Sequence, residues 1–149
     1  MSTSPSLDDF RAAARREFAF LVSDFSFVEQ PLPGGPSINP FKVAYINDST
    51  RVTVEGINWG VNSHVMLYAV SPAPDAPAGV PLWALVELRT PDEGEAPVGQ
   101  VAQLGRDAVL LRRYASDVLR GDFSAFPAAL RIVEAHAATL AKPKTIRLP

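Results

Sequence analysis

The run Arg51-Val52-Thr53-Val54-Glu55 constrains the fold more than any other stretch of the chain. Polar and apolar residues alternate at every step, which places both valines on one side of an extended strand. Upstream, Phe41, Val43 and Tyr45 alternate with Lys42, Ala44 and Ile46, and Asn47-Asp48-Ser49-Thr50 between the two runs supplies residues suited to a turn. Together they predict an antiparallel hairpin. Past Gly56 the apolar phase moves from even to odd positions, as at a β-bulge or a strand end. A second turn around residues 60–63 leads into a strand over 64–71. There Val65, Leu67 and Ala69 oppose His64, Met66, Tyr68 and Val70; both sides are apolar, so this strand is expected to be central. Residues 82–88 read as a last strand, with Leu82, Ala84, Val86 and Leu88 on one side and Trp83, Leu85 and Glu87 on the other.

Helical patterns flank these strands. Ser6 with Asp9 gives a capping start, and Leu7, Phe10, Ala14, Phe18, Leu21 and Val22 recur at three- and four-residue steps, predicting a helix over 6–23. Phe25, Phe27 and Val28 open a short extended segment. Val101, Leu104, Ala108, Leu111, Ala115 and Val118 predict a helix over 101–120, with Gly105 as a weak point near its start and Gly121 at the C-cap position. Leu130, Val133, Ala137 and Leu140 predict a further helix over 125–141, with Pro127 in its first turn and Pro143 as its stop. Residues 30–40, 72–81 and 90–99 are rich in Pro, Gly and small or acidic residues and read as loops. The order predicts an α+β fold in one domain, 1–149: an antiparallel sheet of about four strands with the helices packed on one face.

A chain of 149 residues buries roughly 68–70% of its unfolded surface, so a core can hold it without metal or disulfide. With no cysteine, thiol catalysis and Cys-based zinc sites are excluded. Fourteen basic residues against sixteen acidic ones give a net charge of −2, and no block of like charge appears, which disfavours a nucleic-acid partner. No apolar run approaches the roughly 20 residues that span a bilayer, and the N-terminus shows no signal-peptide pattern. A soluble cytoplasmic protein without membrane contact is expected. Eleven arginines against three lysines fit a GC-rich bacterial genome.

Catalytic patterns are sparse. His64 and His136 are far apart in sequence, and no metal-ligand spacing accompanies either, so neither a metal nor another cofactor is expected. Pro33-Gly34-Gly35-Pro36 resembles a phosphate loop in outline, but its prolines lack N–H donors and no Gly-Lys-Ser/Thr follows. Asp107, Asp117, Asp122 and Glu134 read mainly as solvated helix residues. There is no Gly-x-Ser-x-Gly elbow. No catalytic residue is assigned.

The most distinctive stretch is Leu119-Arg120-Gly121-Asp122-Phe123-Ser124-Ala125-Phe126-Pro127. It reads as a structural corner: Gly121 ends one helix, Asp122 caps and is placed to pair with an arginine, and Phe123 and Phe126 plug the turn. It resembles a corner after a helix in small uncharacterised bacterial proteins; the likeness covers under a fifth of the chain and implies no activity. The order helix, antiparallel sheet, helices is similar at fold level to toxin-immunity and other interaction domains.

The face of the sheet away from the helices is the expected contact surface, with Met66, Tyr68, Trp83 and Leu85 as its large apolar groups. The leading expectation is a non-enzymatic bacterial module that binds another protein, immunity-like, or a second copy of itself as a homodimer. The alternative is a small enzyme or ligand-binding domain with a pocket between sheet and helices, using His64, Tyr68 or Tyr45 with one carboxylate.

Overall fold

The structure, a computed structural model, describes residues 6–31, 39–57, 62–71, 78–90 and 99–141. It has an α+β fold. Five strands, β1 (Val28–Gln30), β2 (Lys42–Ile46), β3 (Thr50–Ile57), β4 (Asn62–Ala69) and β5 (Gly79–Pro81), form one antiparallel sheet in sequence order. Around it lie α1 (Leu7–Glu17), α2 (Ala19–Phe25), α3 (Leu82–Arg89), α4 (Gln100–Tyr114), α5 (Ser116–Leu119) and α6 (Phe126–Ala141). No helix among the described residues is long and apolar enough to cross a membrane.

The expected hairpin is β2–β3. The Asn47 carboxamide shapes its turn, since Oδ1 accepts the N–H groups of Ser49 and Thr50 at 3.0 and 2.8 Å. The alternating residues of the strands then fall into cross-strand rows. Val43, Val54 and Val65 form one row, and Tyr45, Val52, Leu67 and Val80 another. Both rows are buried and belong to the core, together with Phe10 of α1, Phe18 between α1 and α2, Leu21 of α2, Leu104 and Leu111 of α4, and Phe126 of α6. All strand residues in this core lie on one face, so the helices pack on that side.

Several elements differ from the sequence reading. Residues 82–88 are not a strand: only residues 79–81 pair with β4, and the chain then turns into α3. A run that is apolar at nearly every position fits either period, and here Leu82, Leu85 and Val86 are buried at helical three- and four-residue spacing. The fifth strand comes instead from β1, which the chain reaches after Phe27.

The helix expected over 6–23 is two helices, broken at Phe18 (φ −100°, ψ 14°), and the second ends at Ser26 in the left-handed region (φ 61°). Likewise, the one expected over 101–120 breaks at Ala115 (φ −128°, ψ 18°), leaving α4 and the one-turn α5. Both breaks sit between buried side chains, so the bends keep the apolar stripe on the core. Gly105 lies inside α4 and does not delay its start.

There is no bulge at Gly56. The β3–β4 register runs without a slip from Thr50↔Ala69 to Ile57↔Asn62. Gly56 is required for another reason: a Cβ there would lie 2.3 Å from Nε2 of Gln100, so the glycine admits the side chain that α4 lays across the strand.

Candidate functional site

The face of the sheet away from the helices carries three mixed rows. Lys42, Glu55 and His64 form the first; Gln30, Ala44, Thr53, Met66 and Pro81 the second; Val28, Ile46, Arg51, Tyr68 and Gly79 the third. None of these residues belongs to the core cluster that holds the helices. Ala44 and Thr53 are nonetheless almost wholly buried, being short residues flanked on every side by longer ones.

Charge on this face is unevenly satisfied. Lys42 and Glu55, directly opposite each other, make an ion pair at 3.2 Å. Burial pushes the His64 imidazole below its usual range, and the neighbouring Glu55 carboxylate opposes that effect. Arg51 is different. Its guanidinium carbon lies 5.7 Å from the Tyr68 ring centroid, its Nε is buried without a hydrogen-bond acceptor, and no carboxylate among the described residues forms an ion pair with it.

The four expected contact residues do not come together. Met66 and Tyr68 lie on this open face, half-buried, as the alternation of their strand requires. Trp83 and Leu85 are on α3. Leu85 is fully buried in the core, while Trp83 is partly exposed and meets the His136 ring edge-on at 4.8 Å between centroids. His136 also contacts the Glu87 carboxylate at 3.0 Å. The contiguous patch of four therefore gives way to an open face that sequence reasoning had populated only with Met66 and Tyr68, missing Arg51.

The corner at 121–126 is built as expected. Gly121 has φ +95°, Phe126 is fully buried, and the Phe123 and Phe126 rings lie 5.1 Å apart. Asp122, against expectation, caps no helix: its Oδ1 accepts the Ser124 N–H in a local turn that precedes α6. The arginine pairing belongs to Asp117 instead: Arg89 holds both its carboxylate oxygens at 2.7 Å and also donates to the Tyr114 carbonyl. That guanidinium holds the Asp117 carboxyl below its usual range, although its burial opposes the shift.

A second polar cluster went unread in the sequence. Gln100, Gln103 and Asp107 recur at steps of three and four on α4 and face the β3–β4 hairpin; both glutamines are buried, and Val101, expected in the apolar stripe, is exposed in their stead. Gln103 Oε1 accepts the Ser63 N–H at 2.9 Å, and Ser63 Oγ donates to Asp107 Oδ2 at 2.5 Å. Burial pushes the Asp107 carboxyl up to about 6, against the opposing pull of the Ser63 hydroxyl and Arg106. The signal available in sequence was the polar i, i+3, i+7 spacing, overlooked beside the apolar stripe.

Ser63 and His64 are consecutive strand residues and so face opposite sides of the sheet, which keeps His64 away from the Ser63–Asp107 pair. Tyr45 faces the core, where burial pushes its hydroxyl up to about 12. The residues of the expected pocket, His64, Tyr68 and Tyr45, are thus split between the two faces. Among the described residues no group of three metal-ligating side chains is placed to hold an ion. The Pro33–Pro36 segment lies outside the described residues. Comparison of the chain with family models, with curated proteins and with solved structures gives no match.

Proposed function

We propose that this protein is a non-catalytic binding module whose open sheet face receives another protein, and that the partner places a carboxylate against Arg51. Arg51 carries the reading. The Arg51 guanidinium is half-buried over Tyr68 and has no carboxylate partner among the described residues, so a carboxylate brought by a partner would supply its counter-charge. Tyr68 beneath it, with Ile46 and Met66 alongside, offers the apolar surround that excludes water from such a pair. A second copy of the chain fits less well, since Lys42 and Glu55 on this face already neutralise each other and leave no carboxylate for a neighbouring Arg51.

The test is affinity capture from source-cell extract with wild type and with Arg51→Glu, followed by reconstitution from purified components. A protein held stoichiometrically by wild type and released by Arg51→Glu supports the reading. No such protein, or one bound equally by both, overturns it. Self-association lost in Arg51→Glu would put a second copy on the face in place of a partner. Circular dichroism checks that the variant stays folded.

One observation favours a ligand site between sheet and helices: the buried Asp107 carboxyl with its raised pKa, bonded to Ser63. On that reading Asp107→Asn would abolish the activity and leave Arg51-dependent capture untouched.

A further inference from the structure

A cavity of about 470 Å³ opens where the C-terminal ends of α2 and α5 meet the β2–β3 turn, a place that neither the open-face partner nor the Asp107 cluster uses. Its size lies within the roughly 300–1,000 Å³ range of small-molecule clefts. Asn47 welds the three segments together, since Nδ2 donates to the carbonyls of Phe25 and Leu119 at 3.0 and 3.3 Å while Oδ1 holds the turn. The walls are therefore fixed before any ligand arrives, which lowers the entropy that binding must spend on ordering them.

Three charged side chains line the cavity, and they are not equally engaged. Asp24 is held by Arg112 Nη2 at 3.0 Å. Asp48 and Arg120, both exposed, make no side-chain hydrogen bond and no ion pair among the described residues, and so do not pair with each other. Arg120 is drawn aside: its guanidinium carbon lies over the Phe25 ring, 5.3 Å from the centroid, and Phe25 is itself part of the wall. Asp48 stands on the β2–β3 turn beside Asn47. One anion and one cation thus line the same space without meeting across it.

We propose that this cavity binds a free α-amino acid, whose carboxylate pairs with Arg120 and whose ammonium pairs with Asp48. A zwitterion supplies each of the two charges with its opposite. An anion alone would be drawn by Arg120 and repelled by Asp48, and a cation alone the reverse. The guanidinium fork matches a carboxylate. The carbonyls that end α2 and α5 sit at Asn47, next to Asp48, and add negative potential where the ammonium is placed.

A thermal-shift screen of the free amino acids and of γ-aminobutyrate, followed by isothermal titration calorimetry of the best binder in low-salt buffer, tests this. Saturable binding of at least one α-amino acid is expected, with its N-acetyl and its amide derivatives each weaker by about tenfold or more. Asp48→Asn is expected to weaken the amino acid by about tenfold and to leave the N-acetyl derivative no weaker, because that compound has no ammonium to lose. Arg120→Gln is expected to weaken the amino acid to a similar degree and to leave the amide derivative no weaker. Both side chains are exposed, so each variant keeps the fold, which circular dichroism checks. No saturable binding of any α-amino acid, tighter binding of γ-aminobutyrate, a derivative that binds as well as its parent, or binding indifferent to either variant would overturn the proposal.

Discussion

Ser63 Oγ donates a 2.5 Å hydrogen bond to Asp107 Oδ2, tying the β3–β4 hairpin to the middle of α4 through a carboxyl that burial has raised to about 6. An aspartate raised in the folded state binds its proton more tightly there than in the unfolded chain. Between about pH 4 and 6 the folded protein holds a proton that the unfolded one has lost, so stability falls as pH rises through that window. Asp107→Asn removes the penalty and keeps an oxygen for the Ser63 hydroxyl. It is expected to stabilise the protein at pH 7.5 by on the order of 1–3 kcal/mol and to give no gain near pH 4. Urea titrations of both proteins at the two pH values measure this; an equal effect at both would show that the carboxyl is not strained by burial.

Leu111 sits in the last turn of α4 with no exposed surface, inside the cluster that joins α4 to the sheet and to α1. Leu111→Ala leaves a cavity among fixed neighbours and is expected to cost about 2–5 kcal/mol. Chemical denaturation with an unchanged slope would report that loss, and a cost below 1 kcal/mol, on the order of a surface substitution, would contradict the packing.

Gly121 has φ +95°, and a Cβ there would also lie 3.0 Å from Cβ and Oγ of Ser49. Gly121→Ala meets both the backbone strain and the contact, and Gly121→Val adds branching. Losses of about 1–3 kcal/mol for alanine and more for valine are expected. Gly121→Ala combined with Ser49→Gly relieves the contact but not the strain, so the double variant should recover only part of the loss in thermal midpoint.

Asn47 joins three parts of the chain. Its Nδ2 donates to the carbonyls of Phe25 and Leu119, at 3.0 and 3.3 Å, while its Oδ1 organises the β2–β3 turn. Asn47→Asp preserves shape and the turn acceptor, yet it sets a negative charge against carbonyls at the C-terminal ends of α2 and α5. It is expected to cost at least as much as Asn47→Ala, on the order of 2–4 kcal/mol. Thermal melts at pH 7 compare the two; a near-neutral Asp variant would show that the donor contacts contribute little.

The sequence revealed those parts of the fold whose period has a single interpretation. Arg51 to Glu55 alternates so regularly that the β2–β3 hairpin and its buried face could be read directly, and Ser6 with Asp9 marks the start of α1 through a capping box that the structure contains. Residues 82–88 lacked that clarity, because an apolar residue at almost every position satisfies both periods, and only packing against β4 and α6 selects the helix. That one ambiguity misplaced Trp83 and Leu85 on a sheet face. Arg51 was visible as the polar partner of an alternating strand, but its missing counter-charge is a property of three neighbouring strands, which no single segment carries. Gly56 looked like a defect in one strand because its true neighbour, Gln100, lies more than forty residues away.

The strand order has a kinetic consequence. Each strand pairs with the one before it in the chain, and β3 and β4, joined by a short connection, share the longest register. Such a sheet can zip outward from that hairpin with little loop entropy lost at each step, a topology associated with rapid folding. The Asn47 bond to Leu119 and the Thr50 bond to the Val118 carbonyl span about seventy residues, so closing them costs more loop entropy and they are expected to form after the hairpin. Bonds formed after the rate-limiting step govern escape from the native state rather than arrival at it. The joint between the β2–β3 turn and α5 is therefore the latch that sets how long the folded molecule lasts, while the hairpin sets how quickly it forms.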